Sequence, residues 1–228
     1  MSLYTRLVSN VLFPLHESLK KHDTVRVRKD MEQTQWLALD DIKKLQIARL
    51  KSFLIDVQQH VPYYQQLFKE LAFDPAAIES LADLARLPLT GKSVIRANTE
   101  QLKADDAIGL ARFNTGGSSG EPLIFYIGNK RVSHDVAAKW RATRWWNVDI
   151  GDPEIVIWGS PIELGTQDKI KLIRDKVLRT LLLPAFEMSP AKLDGFIQQI
   201  QAMRPKMLFG YPSALAHIAS HAEKTGKF

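Results

Sequence analysis

Three short apolar runs at an even interval constrain this chain more than any other feature. EIVIWG (154–159), TLLLPAF (180–186) and KMLFGY (206–211) begin at residues 154, 180 and 206, so they recur every 26 residues. Each has the length and the aliphatic and aromatic content of a buried strand. Helical stretches separate them. One covers about 167–178; another follows Ser189-Pro190 and carries Leu193, Phe196, Ile197 and Ile200. Ser213 opens a last helix with Leu215 and Ile218. Strand and helix alternating at this interval predict a βαβαβ unit, whose parallel sheet is joined by right-handed crossovers.

The first 88 residues carry no such alternation and read as helical. Leu50, Leu54, Val57 and Val61 repeat at helical spacing in a helix over 40–61, with Asp40 as its N-cap. VPYYQQLFKEL starts another helix after Pro62, Asp74-Pro75 a third, and Pro88 closes the region. Beyond residue 105, IGLARF (108–113) and LIFYIG (123–128) read as strands, either an antiparallel pair or two neighbours in one sheet. A helix over 130–147 follows, with Val132, Val136 and Trp140 on one stripe. The expected class is therefore α/β: a helical region over 1–88, then a β-hairpin and a parallel sheet within an α/β domain over 89–228. Three parallel strands and a hairpin make a thin sheet with its last edge uncovered. HAEKTGKF stands where a further strand is expected, so the chain reads either as a fragment or as one completed by a partner, a second copy included.

Composition narrows the function classes. At 45% hydrophobic and 25% charged, the 228 residues are those of an ordinary globular protein. There is no cysteine, which excludes disulfides, thiolate metal sites and a cysteine nucleophile. The net charge of +6 is spread along the chain, and its densest clusters are short: RVRK (26–29) and Arg141 with Arg144. No basic tract or aromatic RNA motif is present, so an anionic small molecule is expected rather than nucleic acid. The N-terminal MSLYTRLVSNVLFPLHESLKK lacks a signal-peptide pattern, and no apolar run is long enough to span a bilayer. It reads as an amphipathic helix, packed on its own protein in preference to a membrane surface. A cytoplasmic protein is expected.

One loop carries the chemistry. In FNTGGSSGEPLIF (113–125), three of the chain's 12 glycines fall between two strand-like segments, together with Thr115, Ser118 and Ser119. Glycine lets a ligand approach the main chain closely, and successive N–H groups in such a turn converge on an anion. A mobile hairpin tip is the other reading of the same composition. It is not a Walker A loop, because Glu-Pro and a strand follow it instead of Lys-Ser/Thr and a helix. The actual Gly-Lys-Ser at 91–93 has Arg86 where the first glycine belongs and reads as a helix start. No G-x-G-x-x-G is present.

TGGSSGEP resembles the [ST]-[SG]-G-[ST]-[ST]-G-x-P phosphate loop of the adenylate-forming enzymes, the acyl-CoA synthetases and their relatives. VPYYQQLF, LARLPLTGKSVIRANTEQL, RWWNVDIGD, IWGSP and FGYPSAL resemble the phenylacetate–CoA ligase-like branch, in that branch's order. The resemblance implies that a small carboxylic acid, an aryl acid by the family's suggestion, attacks ATP to give an acyl-adenylate. A thiol, usually that of CoA, then takes the acyl group. It implies that Thr115, Gly116, Gly117, Ser118, Ser119 and Gly120 grip the nucleotide phosphates with Mg2+ offsetting charge. It also implies that Trp158, Gly159, Ser160, Gly210, Tyr211 and Pro212 line the acyl pocket. Two departures stand out. Leu123 replaces a lysine common in the family, and the family's later segments are missing: the adenine-binding glycine stretch, Tyr-Gly-x-Thr-Glu, the ribose-binding aspartate and the catalytic lysine. The chain thus reads as an incomplete N-terminal part of an adenylate-forming enzyme, inactive alone; the alternative is a non-catalytic nucleotide- or anion-binding module, or a subunit completed by another chain. His217 and His221, at the spacing of a zinc pair, read as a solvated face, since Ile218 replaces the expected glutamate and no metal site is expected. His134 and Arg141 share a helix face that could meet an anion but read as surface.

Overall fold

The computed structural model of the chain describes residues 1–115, 122–159 and 169–227. In chain order it contains α1 (Leu3–Leu7), a π-helical turn (Val8–Leu12), α2 (Phe13–Leu19), α3 (Thr24–Thr34), α4 (Leu39–His60) and α5 (Pro62–Glu70). Short 3-10 turns at Pro75–Ala77 and Leu81–Arg86 lead to α6 (Lys92–Ala97), β1 (Ala111–Asn114), β2 (Ile124–Ile127) and α7 (Asn129–Arg144). Then come β3 (Glu154–Trp158), α8 (Lys169–Leu178), β4 (Thr180–Pro184), α9 (Pro190–Met203), β5 (Met207–Gly210) and α10 (Pro212–Thr225). The chain divides into two compact units. One is Met1–Lys20 with Lys139–Phe228, the other Lys21–Ala138.

In the unit Lys21–Ala138, the core comprises Leu54, Val57, Val61, Phe68, Phe73 and Ile78. α4 begins at Leu39, one residue before the expected cap Asp40. Ala38 is its N-cap and makes no side-chain bond, while Asp40 and Asp41 lie in the first turn, where the partial positive charge of the helix end favours carboxylates. Pro62 occupies the first turn of α5, as a proline without N–H can. The helix expected from Asp74-Pro75 is a single 3-10 turn. Asp74 does cap it, accepting the Ala76 N–H, but Ile78 turns extended and is buried in the core, which ends the helical path. Gly91 precedes α6, so Gly-Lys-Ser is a helix start. β1 and β2 pair antiparallel, Asn114 opposite Ile124 and Ala111 opposite Ile127. They form a sheet of their own, so the hairpin does not extend the parallel sheet.

In the other unit, β3, β4 and β5 form a parallel sheet in the order β4-β3-β5. The first strand is central, the second lies on one side, and the chain then crosses to the other side. Side chains alternate across the sheet. Ile155, Ile157 and Leu183 are buried with Leu193, Phe196 and Ile197 of α9 and Ala214 and Ile218 of α10. α10 starts one residue before Ser213, with Pro212 in its first turn and Tyr211 as N-cap.

RWWNVDIGD is a structural knot ahead of β3. Asp152 accepts from the Thr5 hydroxyl (2.8 Å), the Asp149 N–H (3.0 Å) and the Lys206 ammonium (2.9 Å). Asp149 in turn accepts from the Trp140 indole N–H and from the Ile150 N–H. Gly151 sits at φ +91°, and a Cβ there would stand 2.6 Å from that of Val8. These contacts fix the N-terminal helix, the end of α7 and the start of β5 around one turn.

Candidate functional site

Open parallel sheets bind ligands outside the carboxyl ends of their strands, at the point where the strand order reverses. Here the reversal lies between central β3 and β5, and both strands end there in aromatic residues. The Trp158 ring stacks on Tyr211 with centroids 4.2 Å apart and planes 15° off parallel, and on Phe209 at 6.2 Å and 14°. All three are exposed, so Trp158 is a surface group and not a core one. Because side chains alternate, Trp158 faces away from the core that Ile155 and Ile157 enter. The three rings form a flat slab at the strand ends.

Glycines shape its floor. Gly210 pairs with Ile157, and a Cβ on it would lie 2.2 Å from the Ile157 carbonyl oxygen. Glycine is therefore required by the closeness of the neighbouring backbone. Gly159 takes φ +100°, turning the chain directly after Trp158. Pro212 then fixes the path into α10. The expected pocket residues Trp158, Gly159, Gly210, Tyr211 and Pro212 are thus gathered at one end of the sheet, and Ser160 lies outside the described residues. Two members escaped the sequence reading. Phe209 extends the slab, and Lys139 places its ammonium 4.4 Å from the Phe209 ring while pairing with Glu154. The alternation of β5 gives a signal for Phe209, two residues before Tyr211 on the same side of the strand. Nothing local marks Lys139, which arrives from α7.

In the other unit, the stem of the glycine loop is closed. The Thr115 N–H donates to the Leu123 carbonyl at 3.0 Å, and the Thr115 hydroxyl accepts the Leu123 N–H at 3.0 Å. Phe113 stacks on Phe125, and the Lys103 ammonium sits 4.5 Å from the Tyr126 ring. At the base, Gly109 takes φ +69° and the Asn129 N–H donates to the Ile108 carbonyl. Gly116, Gly117, Ser118, Ser119 and Gly120 lie outside the described residues, so Thr115 is the one loop residue placed. Its hydroxyl oxygen accepts from the stem, which leaves its O–H hydrogen as the donor it can offer a ligand.

The remaining candidates resolve as structure. His221 Nε2 is 2.8 Å from Asp194, tying α10 to α9, and Lys227 reaches the same carboxylate. Those partners, Lys227 first and His221 second, hold the Asp194 carboxyl below its usual range. The Arg141 guanidinium lies over the Trp145 ring at 5.0 Å, and His134 is exposed. Among the described residues, Asp56, His60 and Asp106 could bring ligand atoms within 4.8 Å of one another. His60 Nδ1 is already 2.9 Å from Asp105, and that hydrogen bond, before any other cause, raises the imidazole above its ordinary value.

No protein-family model matches the chain. It is 24% identical over 183 residues to Protein CapK of Staphylococcus aureus, covering 80% of this chain and 40% of that protein. It is 25% identical over 199 residues to the phenylacetate-coenzyme A ligase of Aromatoleum evansii, covering 86% of this chain and 44% of the ligase. Its fold matches part of 2-hydroxyisobutyryl-CoA ligase, solved in the postadenylation state in complex with R3-HIB-AMP. That match has a TM-score of 0.60 at 21% identity and covers 83% of this chain and 40% of the other. The chain spans less than half the length of these relatives.

Proposed function

We propose that this chain, a distant relative of the phenylacetate–coenzyme A ligases, is the phosphate-loop and acyl-pocket part of an adenylate-forming acid–thiol ligase. In this reading a carboxylate oxygen of the acid attacks the α-phosphorus of ATP. The bond from that phosphorus to the bridging oxygen breaks, pyrophosphate leaves and an acyl-adenylate remains. The thiol of CoA then displaces AMP at the acyl carbon, releasing its proton and giving a thioester.

The single observation that carries the reading is the aromatic slab of Trp158, Phe209 and Tyr211 at the reversal point of the sheet. A flat ring surface stacks a planar acyl group, so an aryl acid is the substrate class it favours. Gly159 and Gly210 keep the slab's edge open, with Pro212 beside it; Ser160 is assigned to the same pocket by the family resemblance. Thr115, Gly116, Gly117, Ser118, Ser119 and Gly120 cradle the β- and γ-phosphates through converging N–H groups, where charge on the leaving pyrophosphate develops. Closure of the stem by Thr115 and Leu123 is the supporting geometry. The described residues flanking the loop, Asn114, Thr115, Pro122 and Leu123, offer no carboxylate to a magnesium ion.

Isothermal titration of the 228-residue chain with ATP and with inorganic tripolyphosphate tests the reading. Both bind, and Gly117→Val weakens both by roughly tenfold, because a side chain blocks close approach to the main chain. Absence of binding by either anion refutes the cradle. Pyrophosphate exchange driven by an aryl acid is expected only when segments beyond this chain supply the adenine and ribose contacts. Exchange by the 228 residues alone overturns that division of labour.

A further inference from the structure

A cavity of about 620 Å³ opens at the end of the parallel sheet opposite the aromatic slab. That is the size of a small-molecule site, and an apolar wall with a few polar groups is the lining such sites have. It lies where β4 begins. Thr180 and Leu182 reach it from one face of that strand and Leu181 from the other, so it wraps around the outer edge of the sheet. Pro153 leads into β3, Met203 ends α9 and Leu172 belongs to α8; with Leu181 and Leu182 they make the apolar wall. None of the slab residues takes part.

Three charged residues complete the lining: Asp175, Lys176 and Arg179. Asp175 is already answered, because Arg174 donates to it from Nε at 2.9 Å and from a terminal nitrogen as well. Lys176, exposed in the last turn of α8, has no carboxylate partner among the described residues. Neither has Arg179, which is held in place by other means. Its N–H donates to the Lys176 carbonyl at 3.2 Å, and its carbonyl accepts the Glu154 N–H at 3.0 Å. Its guanidinium lies over the Tyr4 ring at 4.2 Å, and the Tyr4 hydroxyl is anchored on the Val177 carbonyl at 2.7 Å. Stacking fixes the guanidinium plane and leaves its N–H edge to a ligand. Arg179 also takes φ +57°, a conformation that costs arginine more than it would cost glycine.

We infer that this cavity binds a small amphipathic anion, a carboxylate or phosphate head on an apolar body, at a site separate from the strand-end slab. The Arg179 fork and the Lys176 ammonium take the head, while Leu172, Leu181, Leu182 and Met203 take the body. A cationic ligand would meet two like charges. A neutral one would strip water from them with no charge in exchange.

Titration calorimetry of the 228-residue chain at low salt with octanoate, octyl phosphate, octanol and octyltrimethylammonium tests this. Octanoate or octyl phosphate binds, the tighter of the two naming the head, and binding weakens as salt rises. Octanol and octyltrimethylammonium bind more weakly by roughly tenfold or more. Lys176→Glu lowers the affinity for the anions by roughly tenfold or more, with the melting temperature kept because the side chain is exposed. Should that variant fail to fold, Leu172→Glu decides: Leu172 is exposed too, and a carboxylate there repels the head and breaks the apolar wall. Failure of both anions to bind overturns the proposal, as does octanol binding as tightly as octanoate. Octanoate binding that Trp158→Ala removes and Lys176→Glu leaves alone belongs to the slab, and overturns it as well.

Discussion

Replacing Asp152 by Asn tests the knot that positions β3. The carboxylate is buried and accepts from three donors, Thr5, Asp149 and Lys206, at 2.8 to 3.0 Å. An amide keeps one acceptor oxygen, turns an NH2 toward a donor and dissolves the ion pair. Removing one partner of a buried ion pair costs about 3–5 kcal/mol. The Lys206 side chain is 35% exposed, so water recovers part of its charge, and a loss of roughly 2–3 kcal/mol is expected. For a chain of this size that lowers the melting temperature by about 4–12 °C. The pH dependence fixes the cause. Burial, the largest single influence, pushes the Asp152 carboxyl up, but the Asp149 N–H, Lys206 and the Thr5 hydroxyl together outweigh it and hold the group below its usual range. A depressed carboxylate stabilises the fold above its unfolded value of about 3.9, and that contribution fades as pH falls through the folded value. Thermal melts followed by circular dichroism at pH 7 and downward should show the full gap between wild type and variant at neutrality, narrowing below about pH 4. A loss under about 1 kcal/mol, or a gap unchanged into acid, refutes the reasoning.

Other perturbations read other parts of the molecule. Gly210→Ala drives a Cβ to 2.2 Å from the Ile157 carbonyl oxygen, and the expected loss is about 1–3 kcal/mol or more in a denaturant titration. Trp158→Ala removes the central ring of the slab and should weaken phenylacetate binding by roughly three- to tenfold in calorimetry, with tripolyphosphate affinity unchanged. His60, raised chiefly by its hydrogen bond to Asp105, stabilises its unit fully below the unfolded value of about 6.5 and loses that contribution as pH rises through the folded value. An NMR titration of the His60 ring should place its midpoint above that value, and Asp105→Asn should bring it back down.

Much of the architecture was legible before any coordinate, because periodicity is local. The 26-residue interval fixed three strands and the helices between them, and parallel pairing follows because a connection of that length carries the chain back to the same end. Pro62, Gly91 and Pro190 marked helix starts through backbone properties that belong to the residue itself. The family resemblance likewise pointed to Trp158, Gly159, Gly210 and Tyr211. Their grouping at one sheet end is what alternation and a central β3 produce.

Other features depend on residues far apart in sequence, and these only the folded chain decided. The order β4-β3-β5 sets which strand ends face the reversal point, and no short stretch encodes it. Lys139 joins the Phe209 ring because α7 ends beside β5, and Asp152 gathers Thr5 and Lys206 across most of the chain. The N-terminal helix shows the division most plainly. Its sequence offers two apolar faces, and contact with Gly151 and Trp140 chose the one bearing Val8 and Phe13, leaving Leu3, Leu7, Val11, Leu15 and Leu19 exposed. A sequence sets which faces can be buried, whereas burial itself is a competition among partners that exists only once the chain is folded.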